Sequence, residues 1–166
     1  MPLFRRWNIK KAVPNGKPVD PRFFDDLSFL SSDLPDFDRS KYRYKEDVDL
    51  VDEKVESGRQ ILLNKNQNEY GKAFSLLYPA AEFKDNSIAQ YLVGVMFAYG
   101  LGVNASEKEA FKWFKKSAYA GHPYAQYFLG DALYWSKGTG YSFNSAIKAL
   151  NESRHYGNGK ASLFLA

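Results

Sequence analysis

The sequence of 166 residues contains few side chains whose types and spacing could support chemistry. Cysteine is absent, which excludes disulfides, cysteine nucleophiles and thiolate zinc sites. The two histidines, His122 and His155, are far apart and form neither an HExxH motif nor an i, i+4 pair. We interpret both as basic residues at helix ends, where they complement the helix dipole. The sequence therefore predicts no metal site and no cofactor.

Other motifs do not provide a reaction centre either. The run Gly100-Leu101-Gly102-Val103 lacks the preceding strand and the lysine of a phosphate-binding loop. Acid pairs such as Asp25 and Asp26 carry no sign that they converge across a cleft, as a glycosidase would need. No GxSxG nucleophile elbow is present. We predict a protein without catalytic residues or a small-molecule substrate.

Lysines next to aromatic residues raise the question of nucleic-acid binding. Lys112, Lys115 and Lys116 flank Trp113 and Phe114, and the net charge of the chain is +4. A single-strand binder would stack bases on such aromatics within a basic groove. At these spacings, however, the two aromatics fall on the buried stripe of a helix. We interpret the lysines as the solvated side of that helix, not as a nucleic-acid site.

These residues belong to a repeated pattern. The segment AQYLVG at 89–94 recurs as AQYFLG at 125–130, an offset of 36 residues. The offset also relates Gly102 to Gly138, Ala110 to Ala146, Gly121 to Gly157 and Ala125 to Ala161. Self-similarity at a fixed period predicts a stack of repeats. We place the repeats at about 50–84, 85–120 and 121–156, with a partial repeat at 157–166.

Each repeat has the start and stop signals of two helices. Gly100 and Gly121 suit helix ends, Pro123 suits a first turn, and Ser106 with Glu109 fits a capping box. Small residues recur where helices would cross closely, at Gly94, Gly130, Ala110 and Ala146. In the third repeat, Ser142 or Asn144 is the expected cap.

The contiguous unit from Ala89 to Gly121 resembles the Sel-1-like repeat, a relative of the tetratricopeptide repeat. Its matching residues include Val93-Gly94, Gly100-Leu101-Gly102-Val103 and Trp113–Ala118, while the next copy departs at Ser136, Thr139, Asn144 and Leu150. The resemblance implies an all-α solenoid of antiparallel helix pairs over residues 46–166. It also implies a binding scaffold, since family members hold partner proteins as signalling adaptors or bind toxins as immunity proteins.

Residues 1–45 lie outside the repeats and form the predicted irregular N-terminal arm. They contain five prolines and many aromatics, and residues 25–38 carry five Asp without a basic residue. We expect the arm to cap the first repeat, with partner docking as the alternative. The predicted contacts join Phe23, Phe24, Leu27 and Leu30 to Ile61, Leu62, Leu76 and Leu77. At the other end, residues 161–166 should pack as a helical start on the third repeat, or else be covered by further residues.

The leading function is therefore a non-catalytic protein–protein interaction module that acts as an adaptor or scaffold in the cytosol. The alternative is an immunity or inhibitor protein that neutralises a bacterial toxin. No apolar run is long enough for a membrane span. Helical periodicity predicts a binding strip on the first helices of the repeats, although these residues could instead pack between neighbouring helices. The candidates are Arg59, Tyr91, Val95, Tyr99, Tyr127, Asp131, Tyr134 and Trp135.

Overall fold

The computed structural model describes residues 52–166, which form α-helices and turns without any strand. Each helix packs against the next one along the chain, as expected for a solenoid of helix pairs. The predicted contacts of the arm lie outside the described residues. The helices are α1 (Glu53–Leu63), α2 (Tyr70–Phe83, preceded by a 3-10 turn at Gln67–Glu69), α3 (Ser87–Tyr99), α4 (Glu107–Tyr119), α5 (Pro123–Trp135), α6 (Phe143–His155) and α7 (Gly159–Leu165).

The first helices of successive repeats begin at the same repeat position. Asn86 Oδ1 accepts a hydrogen bond from Ala89 N at 2.9 Å, and Asn158 Oδ1 accepts one from Lys160 N at 3.0 Å. At the equivalent position His122 caps α5, because its Nδ1 accepts from Ala125 N at 3.3 Å. Such side-chain acceptors satisfy amide groups that a helix start leaves unpaired.

The interpretation of His122 as a basic residue at a helix C-terminus is therefore wrong. An imidazole nitrogen can accept a hydrogen bond only when it is deprotonated, so His122 caps α5 as a neutral ring. Burial lowers the pKa of His122 to about 3, which is consistent with that role. His155, in contrast, does lie in the last turn of its helix, α6.

The predicted ends of the second repeat's helices are confirmed. Gly100 follows α3 in the left-handed conformation, with φ of 67°. Ser106 Oγ accepts from Glu109 N at 3.2 Å at the start of α4. Ser136 takes the place of Gly100 in the next repeat, with φ of 57°. Ser142 is the N-cap residue of α6.

Glycines on the first helices allow each helix pair to cross closely. A Cβ atom added at Gly58, Gly94 or Gly130 would lie 2.6–2.8 Å from a large side chain of the second helix. Those side chains are Leu77, Phe114 and Leu150, respectively. The recurrence of small residues thus reflects one packing contact made three times in the described residues.

Glycines in the turns allow each repeat to rest on the one before it. A Cβ at Gly102 would lie 2.5 Å from the carbonyl carbon of Tyr70, at the start of α2. A Cβ at Gly138 would likewise overlap the backbone of Glu107, at the start of α4. Both glycines also have positive φ, 70° and 69°. The offset of 36 residues between them is therefore a consequence of stacking.

The second helices supply much of the core. Trp113 and Phe114 are 1% and 0% exposed, which confirms that they are core residues. Ser117 Oγ donates to the carbonyl of Ser87 at 2.7 Å. Ser153 Oγ donates to the carbonyl of Pro123 at 2.6 Å. Equivalent hydrogen bonds therefore join α4 to α3 and α6 to α5.

Candidate functional site

The candidate binding strip runs along the first helices of the repeats. Two of its members on α3 are buried. Tyr91 and Val95 on α3 are 2% and 0% exposed. The ring of Tyr91 stacks on His122 at 4.5 Å between centroids and lies 6.0 Å from Phe128 on α5. The expectation that Tyr91 and Val95 lie on an open strip is wrong, because both are buried and aromatic rings of the next repeat cover Tyr91. A binding role for either residue would require the next repeat to move away.

Tyr127, at the equivalent position of the next repeat, is also mostly buried. It is 7% exposed, and its ring lies 6.4 Å from Phe164 on α7. Phe164 also approaches Tyr134 at 5.3 Å, and Ala161 is fully buried. These contacts confirm that residues 161–166 pack as a helical start on the third repeat.

The charged members of the strip interact with nearby residues. Arg59 Nη2 lies 2.6 Å from Glu56 Oε1, one turn away on α1. Asp131 Oδ2 lies 2.6 Å from Lys137 Nζ, and both side chains are largely shielded from solvent. Burial raises the pKa of Asp131, while the Lys137 ammonium opposes that rise.

Tyr99, at the end of α3, is only partly buried. The last two residues of the candidate strip, Tyr134 and Trp135, form part of an exposed aromatic cluster. Trp135 is 54% exposed, Tyr141 62% and Phe143 49%. Tyr134 lies at the centre of the cluster, 4.9 Å from Trp135, 6.3 Å from Tyr141 and 6.4 Å from Phe143. We call these four residues the aromatic surface.

Sequence reasoning missed two members of this surface. Tyr141 lies in the turn between α5 and α6, Phe143 is the first residue of α6, and the fold brings both beside Tyr134 near the end of α5. The available signal was the repeat alignment: Ala105 and Glu107 occupy the same positions one repeat earlier. Replacement of a small and a charged residue by two aromatics marks a position where the third repeat differs in surface chemistry.

A second surface lies on the solvent side of α4. Lys108, Lys112, Lys115 and Lys116 are all exposed and face away from the core; we call them the basic face. The ammonium of Lys116 lies 4.7 Å from the centroid of the buried Trp113 ring. The placement matches the expected solvated side of a core helix.

Residues 52–166 bring together no group of three His, Asp or Glu side chains that could hold a metal ion. Within the same range, no helix has the length and apolar character needed to cross a membrane.

A family model described as Sel1 repeat matches the chain at residues 87–122 and 123–150. These ranges contain the α3–α4 pair and the α5 helix with part of α6. Comparison with curated protein sequences gives no match.

Solved structures show the same repeat architecture. A Sel1 repeat protein from Oxalobacter formigenes is 26% identical, with a TM-score of 0.60 over 66% of this chain and 42% of its own. A protective antigen of uropathogenic Escherichia coli, which displays an SLR fold, is 27% identical, with a TM-score of 0.60 over 65% of this chain and 23% of its own. Helicobacter pylori cysteine rich protein B is 18% identical, with a TM-score of 0.56 over 64% of this chain and 77% of its own, and shows a likeness of fold. The chain thus aligns to less than half of the first two structures.

Proposed function

We propose that this chain is a non-catalytic adaptor or scaffold, because residues 87–150 match the Sel1 repeat, whose fold is commonly a protein–protein interaction module. It binds a partner protein through the aromatic surface at the third repeat. Of the residues in the candidate strip, Tyr134 and Trp135 take part directly. Tyr141 and Phe143 extend the contact area.

The single observation that supports this proposal is the grouping of three exposed aromatics around Tyr134. Large aromatic side chains left half exposed, or more, lose apolar surface to water when a partner covers them. Tyr and Trp are also the residue types most enriched at interface positions that dominate binding energy. Their mutual ring contacts hold them in place, which lowers the entropy lost on binding.

Affinity capture with the full chain, read by quantitative mass spectrometry, tests the proposal. A protein bound by the unchanged chain should be lost with Trp135→Ala and with Tyr141→Ala. The matched control is Tyr119→Ala, which removes an aromatic that is 76% exposed but lies on α4. Partners kept by both aromatic-surface variants, or lost equally with the control, would contradict the proposal.

Stoichiometry separates the adaptor from the immunity or inhibitor alternative. An adaptor holds several members of an assembly, so several proteins should be lost together in the Trp135→Ala variant. An immunity protein binds one toxin, so one protein should be captured in a one-to-one ratio. Relief of that protein's toxicity by the unchanged chain, but not by Trp135→Ala, would favour the immunity function.

A further inference from the structure

The basic face is only partly neutralised by neighbouring acids. Lys112 Nζ lies 3.7 Å from Glu109 Oε2, and Lys116 Nζ lies 3.4 Å from Glu82 Oε2 on α2. Among residues 52–166, no carboxylate lies within 4 Å of Lys108 or Lys115. The solvent side of α4 thus has more positive than negative charge and favours an acidic occupant.

Two exposed aromatics lie at the ends of α2 and α4, and the centroid of the Tyr119 ring lies 5.6 Å from the Lys115 ammonium. Phe83 ends α2 and is 80% exposed, while Tyr119 ends α4 and is 76% exposed. The ion pair between Glu82 and Lys116 joins the ends of these two helices. An occupant of the basic face would therefore meet apolar rings beside the lysines, and a segment that mixes acids with apolar residues would match both features.

The first described residue, Asp52, is held at the end of α2. Asp52 Oδ2 lies 2.9 Å from Lys84 Nζ, and Lys84 directly follows Phe83 at the end of α2. This hydrogen bond with Lys84 lowers the pKa of Asp52. The described chain therefore begins at the end of α2, whose Glu82 pairs with Lys116 of the basic face.

A segment of suitable composition lies just upstream. Residues 25–38 (DDLSFLSSDLPDFD) contain five Asp, no Lys or Arg, and several Leu and Phe. Residues 39–51 connect them to Asp52, and an extended chain of that length spans up to roughly 45 Å. That reach exceeds the width of several helices, each about 10 Å across.

We propose that residues 25–38 of this chain dock in cis on the basic face of α4, with their carboxylates at the lysines and their apolar side chains at Phe83 and Tyr119. Individual surface ion pairs are weak. Attachment to the same chain compensates, since a short tether gives the segment an effective concentration of roughly millimolar. The docked segment would exclude other acidic ligands from this face.

Paramagnetic relaxation enhancement on the full chain tests this docking. The absence of cysteine means that Ala120→Cys, beside Tyr119, introduces a single labelling site. A nitroxide there should broaden the amide signals of residues 25–38. The same label at Ser162→Cys, on the exposed side of α7, should leave those signals unchanged. High salt should reverse the broadening from position 120, because it screens exposed charges.

Charge reversal identifies the binding surface. Lys112→Glu combined with Lys115→Glu should abolish the broadening, and Asp33→Lys with Asp36→Lys in the same chain should restore it. Lys148→Glu with Arg154→Glu makes an equal charge change on α6 and should have no effect. Circular dichroism melts check that each variant is folded. The salt titration uses the chain without charge reversals, so its result does not depend on the folding of those variants.

Several outcomes would overturn the proposal. One is the absence of broadening in residues 25–38 from the label at position 120. Another is broadening that persists after charge reversal. A third is broadening that occurs only between labelled and unlabelled chains in a mixed sample, which would mean that the face binds a second copy. Each result is independent of whether the aromatic surface binds a partner.

Discussion

The first helices of the second and third repeats share a sequence register but differ in what covers them. On α3, Tyr91 and Ala98 are 2% and 0% exposed, and the Tyr91 ring lies against His122, Tyr124 and Phe128 of the next repeat. On α5, Tyr134 occupies the position of Ala98, and its neighbour Trp135 is 54% exposed. The helix that follows, α7, places Phe164 at 5.3 Å from Tyr134.

This difference shows that a repeat position does not by itself determine exposure. Tyr127 and Tyr91 are equivalent, and both meet a phenylalanine of the next first helix, at 6.4 Å and 6.0 Å. Trp135 is exposed, and its equivalent in the preceding repeat, Tyr99, is partly buried. Equivalent positions at the end of this face therefore differ in how open they are.

The largest expected effect is a loss of stability at Tyr91, the buried position in this comparison. Tyr91→Ala removes a ring that contacts Phe114, His122, Tyr124 and Phe128. Because the cavity cannot fully close, the free energy of unfolding should fall by about 3–5 kcal/mol. Urea denaturation followed by circular dichroism measures the loss. A loss below about 1 kcal/mol, typical of surface sites, would mean that Tyr91 is not part of the core.

Stacking between repeats can be tested at a turn. Gly138→Ala places a Cβ against the backbone of Glu107 at a positive φ, so the unfolding free energy should fall by about 3 kcal/mol. Gly140→Ala, in the same turn, has no atom within 4 Å of the added Cβ and serves as the control. Equal melting temperatures for the two variants would contradict close stacking at Gly138.

His122, which caps α5 at the junction of the second and third repeats, should make the stability of the fold depend on pH. The pKa of His122 is lowered to about 3 in the folded chain, whereas an unfolded His titrates near about 6.5. The unfolded chain thus binds the proton more readily, and the stabilisation present above pH 6.5 is lost as pH falls towards 3. His122→Asn keeps a cap of the kind seen at Asn86 and Asn158 without this titration.

Melting temperatures of the unchanged chain and of His122→Asn, measured from pH 7 to pH 4, isolate the contribution of this residue. Other acidic groups titrate in both proteins, so only the difference between the two curves reports on His122. The melting temperature of the unchanged chain should fall further. Parallel curves would mean that His122 is protonated in the folded state or is accessible to water.

The smallest effect on stability is expected on the open side of the comparison. Trp135→Ala should change the unfolding free energy by about 0.5 kcal/mol or less, since surface substitutions remove little packing. For a captured partner, the same change should weaken binding by about 2 kcal/mol or more. Calorimetric titration and thermal melts measure the two quantities separately. A large loss of stability would assign Trp135 to the fold and leave the binding surface elsewhere.

Much of the fold was predictable, because each local signal has a local cause. Gly100, Ser106 and Pro123 act within one or two turns of chain, so their roles follow from residue type and position. His122 was misassigned because a histidine is a common basic residue at a helix C-terminus, although Pro123 in the first turn of α5 places it at an N-cap. The hydrogen bond that its Nδ1 accepts from Ala125 N shows that His122 caps the helix that follows it, α5.

The candidate site was less predictable, since exposure depends on residues distant in sequence. Helical periodicity correctly grouped Tyr91 and Val95 on one face of α3, but it did not show that α5 would cover that face. Tyr141 and Phe143 join Tyr134 only after the turn between α5 and α6 folds back. The repeat alignment showed that these two aromatics stand where the preceding repeat has Ala105 and Glu107. It did not show that their rings would contact Tyr134.

The sequence by itself determined the period of the solenoid, the places where helices start and stop, and the glycines at which helices cross. These features arise from backbone conformation and from contacts that recur at a fixed offset. The tertiary structure alone decided which aromatic rings become core and which stay exposed. Burial is a property of the assembled neighbours of a residue, and those neighbours lie far from it in sequence.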